Sequence, residues 1–126
     1  MTVMFSSASL HAIETFASRI GVPAIPASDG TYSFRFEQSG DLSFMPSLDG
    51  KRLVISLVQA QAYADSAREA RALSAAGADP VTGYFLYVGM SSEGAIVFSF
   101  ILNDYEIDTP SVERCINNLI NAHARL

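Results

Sequence analysis

Residues 31–46, TYSFRFEQSGDLSFMP, alternate apolar and polar side chains on both sides of a short polar turn. Tyr32, Phe34 and Phe36 fall on one side of an extended chain, and Ser33, Arg35 and Glu37 on the other. After QSGD, Leu42 and Phe44 resume the pattern. Period-two alternation predicts strands with one apolar face. The spacing predicts a hairpin of strands Thr31–Glu37 and Asp41–Met45. So much aromatic surface on one face needs a cover, either a helix of the same chain or a second polypeptide.

The flanking sequence supplies helices. In SASLHAIETFASRIG, Leu10, Ile13, Phe16 or Ala17, and Ile20 make a helical stripe, with Ser7 or Ser9 as the cap and Gly21 as the stop. Pro23 and Pro26 force extended backbone, and Asp29-Gly30 marks a turn. Asp49-Gly50 predicts a second tight turn before strand Arg52–Val58. Leu53, Ile55 and Leu57 lie on one face of that strand, Val54 and Val58 on the other. An alanine-rich helix is predicted from about Gln59 to Ala76, with a narrow stripe of Tyr63, Ala67, Ala70 and Leu73 or Ser74. A late hairpin, Thr82–Gly89 and Ala95–Leu102, follows. The last helix is capped by Thr109, with Pro110 in its first turn. The order is α-β-β-β-α-β-β-α. Strand runs joined by short turns predict an α+β fold around a mostly antiparallel five-stranded sheet with three helices.

A chain of 126 residues without repeats or a linker is expected to form one domain, residues 1–126. Apolar residues make up 49%, enough for a core with some left over for a surface patch. Thirteen acidic against eight basic residues give a net charge of −5. Lys51 is the only lysine and the arginines are scattered, which argues against nucleic acid as a partner. Cys115 is the only cysteine, so no internal disulfide forms, as suits a reducing compartment. The start, MTVMFSSASLHAIETF, lacks the charged head and continuous apolar run of a signal peptide, and no apolar run approaches membrane-spanning length. A cytoplasmic protein is expected, with no membrane partner.

Few residues suggest chemistry. His11, His123 and Cys115 lack the spacing of a metal site. His123, near a helix C-terminus, is placed to favour the helix dipole when protonated. Cys115 sits among core positions of the last helix and reads as a small apolar filler. Asp104, Glu106 and Asp108 alternate without the turn glycine of a calcium loop and read as capping and solubilising groups. No phosphate-binding glycine loop or nucleophile elbow occurs. The sequence implies no catalytic residue, metal or cofactor.

What remains is surplus apolar surface. Three helices cover one face of a five-stranded sheet more readily than two, leaving Met45, Val54, Val58 and Val97 or Ile101 on an uncovered face. Exposed apolar area of this kind marks a protein-binding site.

The whole layout, over roughly residues 8–125, resembles the class I chaperones of bacterial type III secretion, the Tir-chaperone-like family. The resemblance rests on the opening helix ending FASRIG, the strand YSFRF and the strand LSFMP. It extends to the alanine-rich middle helix, the late hairpin GYFLYVGMSSEGAIVFSFIL and the closing helix TPSVERCINNLINAH. It implies a non-enzymatic, cytoplasmic homodimer without cofactors. Such a dimer binds the N-terminal chaperone-binding segment of a cognate secreted effector in extended form and keeps it soluble and secretion-competent. It also implies effector grooves on the first helix and first three strands, with Ile25, Phe34, Phe36, Leu42, Phe44, Met45 and Val54 as candidates. On that assignment Phe44→Asp or Val54→Asp would spare the fold and abolish binding. The dimer contact would involve the middle helix and late hairpin: Tyr63, Ala67, Ala70, Leu73, Tyr84, Leu86 and Tyr87. Two other readings fit the same scaffold, a small-ligand-binding domain or minor enzyme with a deep polar pocket, and an adaptor for a folded partner.

Overall fold

A computed structural model describes residues 4–126. The first three residues of the stretch read above for a leader lie outside it. The elements run α1 (Ser7–Ile20), β1 (Tyr32–Phe36), β2 (Gly40–Pro46), β3 (Arg52–Gln59), α2 (Ser66–Ala75), β4 (Gly77–Ala78), β5 (Phe85–Met90), β6 (Ile96–Asn103) and α3 (Thr109–Ala124). A 3-10 turn at Asp104–Glu106 joins β6 to α3. The strands form one sheet in the order β1-β2-β3-β6-β5-β4, with every neighbouring pair antiparallel. The α+β class and the order of elements agree with the sequence reading. The sheet has six strands rather than five, because Gly77–Ala78 pairs with Leu86 and Phe85. A two-residue strand carries no alternation from which it could be read.

Register explains where the core sits. Phe34, Leu42, Leu57 and Phe98 lie side by side across β1, β2, β3 and β6, and Phe44, Ile55 and Phe100 make a parallel row. These side chains are buried together with Ile13 and Phe16 of α1, Ala72 of α2, and Val112, Cys115, Ile116 and Leu119 of α3. Phe16 sits over the first hairpin, its ring 5.4 Å from Phe34 and 6.0 Å from Phe44. The aromatic face that opens the sequence is therefore mainly core. The three helices share this face of the sheet.

The opposite face carries no helix. Its central row is Ser33, Ser43, Ser56, Ser99 and Tyr87, running across five strands. The Ser56 and Ser99 hydroxyls are 2.7 Å apart. Beside this row lie Met45, Val54 and Ile101, and on its other side Val58 and Val97. Met45 is 43% exposed and the other four are half-buried. These are the residues expected on an uncovered face.

Capping differs from expectation at both long helices. Ser6 rather than Ser7 or Ser9 caps α1, its hydroxyl accepting from the Ser9 amide, and Gly21 ends the helix at φ 75°. Asp108 rather than Thr109 caps α3, its carboxylate accepting from the Ser111 amide at 2.8 Å. Donation from Ser111 holds the Asp108 carboxyl below its ordinary range. Asp108→Ala is expected to lower stability by about 1 kcal/mol, read as a shifted urea midpoint with an unchanged slope.

The middle helix is shorter than predicted. Asp65 caps it by accepting from the Arg68 amide, so helix begins at Ser66. The chain before it is irregular, and Gln61 there donates to the Gly94 carbonyl. High alanine propensity is overridden by a good cap late in the segment. The late hairpin likewise starts at Phe85 rather than Thr82. Asp79 accepts from both the Thr82 amide and hydroxyl and from the Asn118 side chain, which makes this stretch a turn pinned to α3. Burial pushes the Asp79 carboxyl up, but these donors together outweigh it and leave the group below its ordinary range.

Candidate functional site

Besides the helix-free face, two apolar surfaces remain uncovered, one at each end of the sheet. The first is a groove along the free edge of β1. It is lined by Ile20, Val22 and Pro23 on one side and by four consecutive strand residues, Ser33–Phe36, on the other, with a volume of about 430 Å³. Sequence puts it there. Gly21 turns the chain out of α1, and Pro23 and Pro26 keep the following link extended. The link runs beside β1, and β1 pairs within the sheet with β2 alone. An edge strand presents unpaired amide and carbonyl groups. Here that edge adjoins apolar side chains, with Ile20 and Val22 about two-fifths exposed. Beneath lies the Phe16 ring, 6.4 Å from Phe36. The charged group on the rim, Arg35, is paired with Asp41 at 3.0 Å.

The second surface lies at the α2–β5 end. Leu73 of α2 and Met90 of β5 on the helix side, and Phe85 and Tyr87 of β5 on the helix-free face, are all about half exposed or more. The Phe85 and Tyr87 rings are 4.7 Å apart. A smaller apolar slot of about 140 Å³ lies between α2 and β5, lined by Ala72, Leu73, Val88, Met90 and Ile96 among others.

The predicted groove residues divide three ways. Leu42 and Phe44 have no accessible surface and Phe34 has almost none. Leu42 and Phe44 are therefore core, a correction to their place in a groove, because strand alternation alone does not say which face the helices cover. Phe34 is core by its side chain and also borders the edge groove, where the partly buried Phe36 joins it. Met45 and Val54 are paired neighbours on the opposite, helix-free face. Ile25 is 70% exposed in the link after α1.

The predicted dimer residues divide as well. Ala67, Ala70 and Leu73 lie exposed on α2, and Tyr87 is exposed on β5. Leu86 points into the core beside Ala72 and is corrected to a core residue. Tyr84 is half-buried against the core. Tyr63 is exposed, but it precedes α2 instead of lying on its stripe. Ile20, Val22, Pro23, Phe85 and Met90 were missed by the sequence reading. The signals were an apolar run continuing past the helix stop in RIGVP and, for Phe85, the outward side of the FLYVGM alternation, while Met90 falls on the core side at the end of the strand.

The remaining candidates for chemistry are structural. Burial pushes the Cys115 thiol up to about 12, which keeps it protonated and poorly nucleophilic at neutral pH. Burial also pushes His123 below its ordinary value, against the expectation of a protonated side chain favouring the helix dipole.

A sheet with an open apolar edge and a second apolar surface at its far end defines a polypeptide-binding scaffold. The model of the Tir chaperone protein (CesT) family matches residues 11–126, and the chain belongs to that family. Membership makes it a chaperone of bacterial type III secretion, as the sequence resemblance implied. Solved structures share the fold. The Yersinia pestis type III secretion chaperone SycH in complex with a stable fragment of YscM2 is 14% identical, with a TM-score of 0.68 over 92% of this chain and 97% of that one. A chain of the ExsC–ExsE complex is 15% identical, with a TM-score of 0.70 over 95% and 92%. A chain of the HopA1–SchA chaperone–effector complex is 14% identical, with a TM-score of 0.65 over 94% and 91%. No curated protein matches the chain in sequence. Among the described residues, no helix is long and apolar enough to cross a membrane.

Proposed function

We propose that the chain holds the N-terminal segment of a cognate secreted effector in extended form, without catalysis, in the bacterial cytoplasm. The observation that carries this reading is the groove along β1. An extended segment laid there pairs its main chain with the free strand edge and sets alternate side chains against Ile20, Val22 and Phe36. Main-chain pairing supplies affinity, and the apolar wall selects which side chains enter. A segment held this way buries apolar groups that would otherwise aggregate. Binding energy alone does this work, so no nucleotide or cofactor is required. Co-expression with secreted proteins encoded beside this chain tests the reading. The expected result is a stable complex that survives purification and shrinks to the effector's N-terminal segment under limited proteolysis. Retention of a folded effector domain, with its N-terminus digested away, would contradict it.

The α2–β5 surface is the proposed contact between two copies of the chain. Ala67 and Ala70 allow close approach, and Leu73, Phe85 and Tyr87 supply apolar area. The chain is expected to sediment at twice its monomer mass at micromolar concentration. The double variant Leu73→Asp/Phe85→Asp is expected to sediment as a folded monomer, because both side chains are already exposed in one subunit.

A further inference from the structure

We infer that the last turn of α3 is an acid-released latch, closed only while the His123 ring is neutral. His123 is 3% exposed, far from the solvated position typical of a histidine near a helix end. Its Nε2 lies 2.8 Å from the Leu57 carbonyl of β3, and its ring meets Phe98 of β6 edge-on at 4.8 Å. The Nδ1 atom is buried with no hydrogen-bond partner among the described residues. The tautomer that fits has the proton on Nε2, donating to Leu57, and a bare lone pair at Nδ1.

A second proton would have to sit on Nδ1. The resulting cation would be buried with no acceptor for its new N–H, which is costly. The Leu57 carbonyl, accepting from Nε2, favours the cation, but burial outweighs it. β3 and β6 present Leu57 and Phe98, and the charged side chain that bears on the ring from α2 is Arg68, a second cation. Protonation therefore favours a state in which His123 reaches water, and that requires the end of α3 to lift from the sheet. The same turn also holds α2. The main-chain oxygen of Leu126 just beyond α3 accepts from Arg71 Nη2 at 2.8 Å and Nε at 3.1 Å. Opening at His123 thus frees one tether of α2, whose buried contact with the core is Ala72.

The direction with pH follows from linkage. The closed state lowers the affinity of the ring for its second proton, chiefly by burial, so the open state binds that proton more readily. The latch is fully effective above the ordinary histidine range and weakens as pH falls through it. Each pH unit below about 6.5 multiplies the open-to-closed ratio by up to about tenfold. The latch needs no partner to act, so its test is separate from that of the docking groove.

Two measurements on the full chain decide it. Amide protection factors, which correct for intrinsic exchange, are read for α2 and for the last two turns of α3 from about pH 7 to about pH 5. They are expected to drop by about tenfold or more in the native chain. In His123→Gln, which keeps a donor for Leu57 but does not titrate, they are expected to stay flat. Nuclear magnetic resonance of the native ring is expected to show the Nε2–H tautomer at neutral pH. Ring protonation on acidification should coincide with the loss of amide protection. If His123→Gln shows the same drop as the native chain, His123 is not the latch. If the variant does not fold, the native ring decides alone: protonation with α2 and α3 still fully protected overturns the proposal.

Discussion

Phe44→Asp is expected to unfold the chain, and Met45→Asp, one residue further along the same strand, to leave it folded. The two positions differ only in the face of β2 from which they project. Phe44 has no accessible surface and packs against Phe16 and Phe34, with ring centroids 6.0 Å and 5.9 Å away. Emptying such a site costs about 3–5 kcal/mol for Phe→Ala. Aspartate adds a carboxylate with no partner in an aromatic cluster, which costs more still. Domains are typically stable by about 5–15 kcal/mol, so this one substitution removes most or all of the margin. Met45 is 43% exposed on the helix-free face, where a charge remains hydrated. Its replacement is expected to change stability by about 0.5 kcal/mol or less. Circular dichroism and urea denaturation of both variants read the contrast. A folded Phe44→Asp chain would mean that α1 does not close over the first hairpin as described. This outcome reverses what the groove assignment of Phe44 implied, and the reversal follows from the burial of its ring.

The same pair of residues shows how much of the fold was legible in the sequence. Alternation in YSFRF, LSFMP and RLVISLV revealed the strands and which residues share a face, because side-chain direction in a strand is set by the backbone alone. It did not reveal which face the helices cover, because that depends on contacts between residues far apart in sequence. Phe34, Leu42 and Phe44 were therefore grouped with Met45 and Val54, although the register sets the two groups on opposite faces. The helix-free face itself could be anticipated, since it follows from counting helices against strand faces. The docking groove was less legible. Its wall is Ile20, which ends the helical stripe and reads there as core, with Val22 and Pro23, two residues at a helix exit with no periodicity of their own. They become a wall only because the link leaves α1 next to the edge of β1. The start of α2 was misread for a different reason. Its alanines promise helix throughout, whereas the Asp65 cap sets the boundary. His123 showed its position near a helix end but not its burial, which depends on Leu57 and Phe98 of the sheet.

Ile20→Asp/Val22→Asp is expected to weaken effector binding by about a hundredfold or more while leaving the chain folded. Both side chains are about two-fifths exposed in the free protein, so charging them leaves the core cluster under α1 intact. In a complex with an extended segment they would be covered. Burying an aliphatic side chain contributes about 1.5–3 kcal/mol, and each factor of ten in affinity corresponds to about 1.4 kcal/mol. Only about two-fifths of each side chain is left to be covered, so losing the two contacts accounts for about tenfold, and the cost of desolvating two carboxylates supplies the rest. That cost works in the same direction, because the aspartates would face an apolar strand in a groove whose nearest cation, Arg35, is already paired with Asp41. Titration calorimetry with the purified N-terminal segment measures the affinity, and thermal melting of the free chain confirms the fold. The far-end substitution Leu73→Asp serves as the comparison, since it charges an exposed apolar residue outside the groove. Unchanged affinity in the Ile20/Val22 variant would remove the β1 edge as the docking site. A loss in Leu73→Asp as large as in the groove variant would show that binding depends on pairing of two chains and not on this wall. The groove variant alone losing affinity, with its melting temperature kept, ties recognition to the strip where the link after α1 passes the free strand.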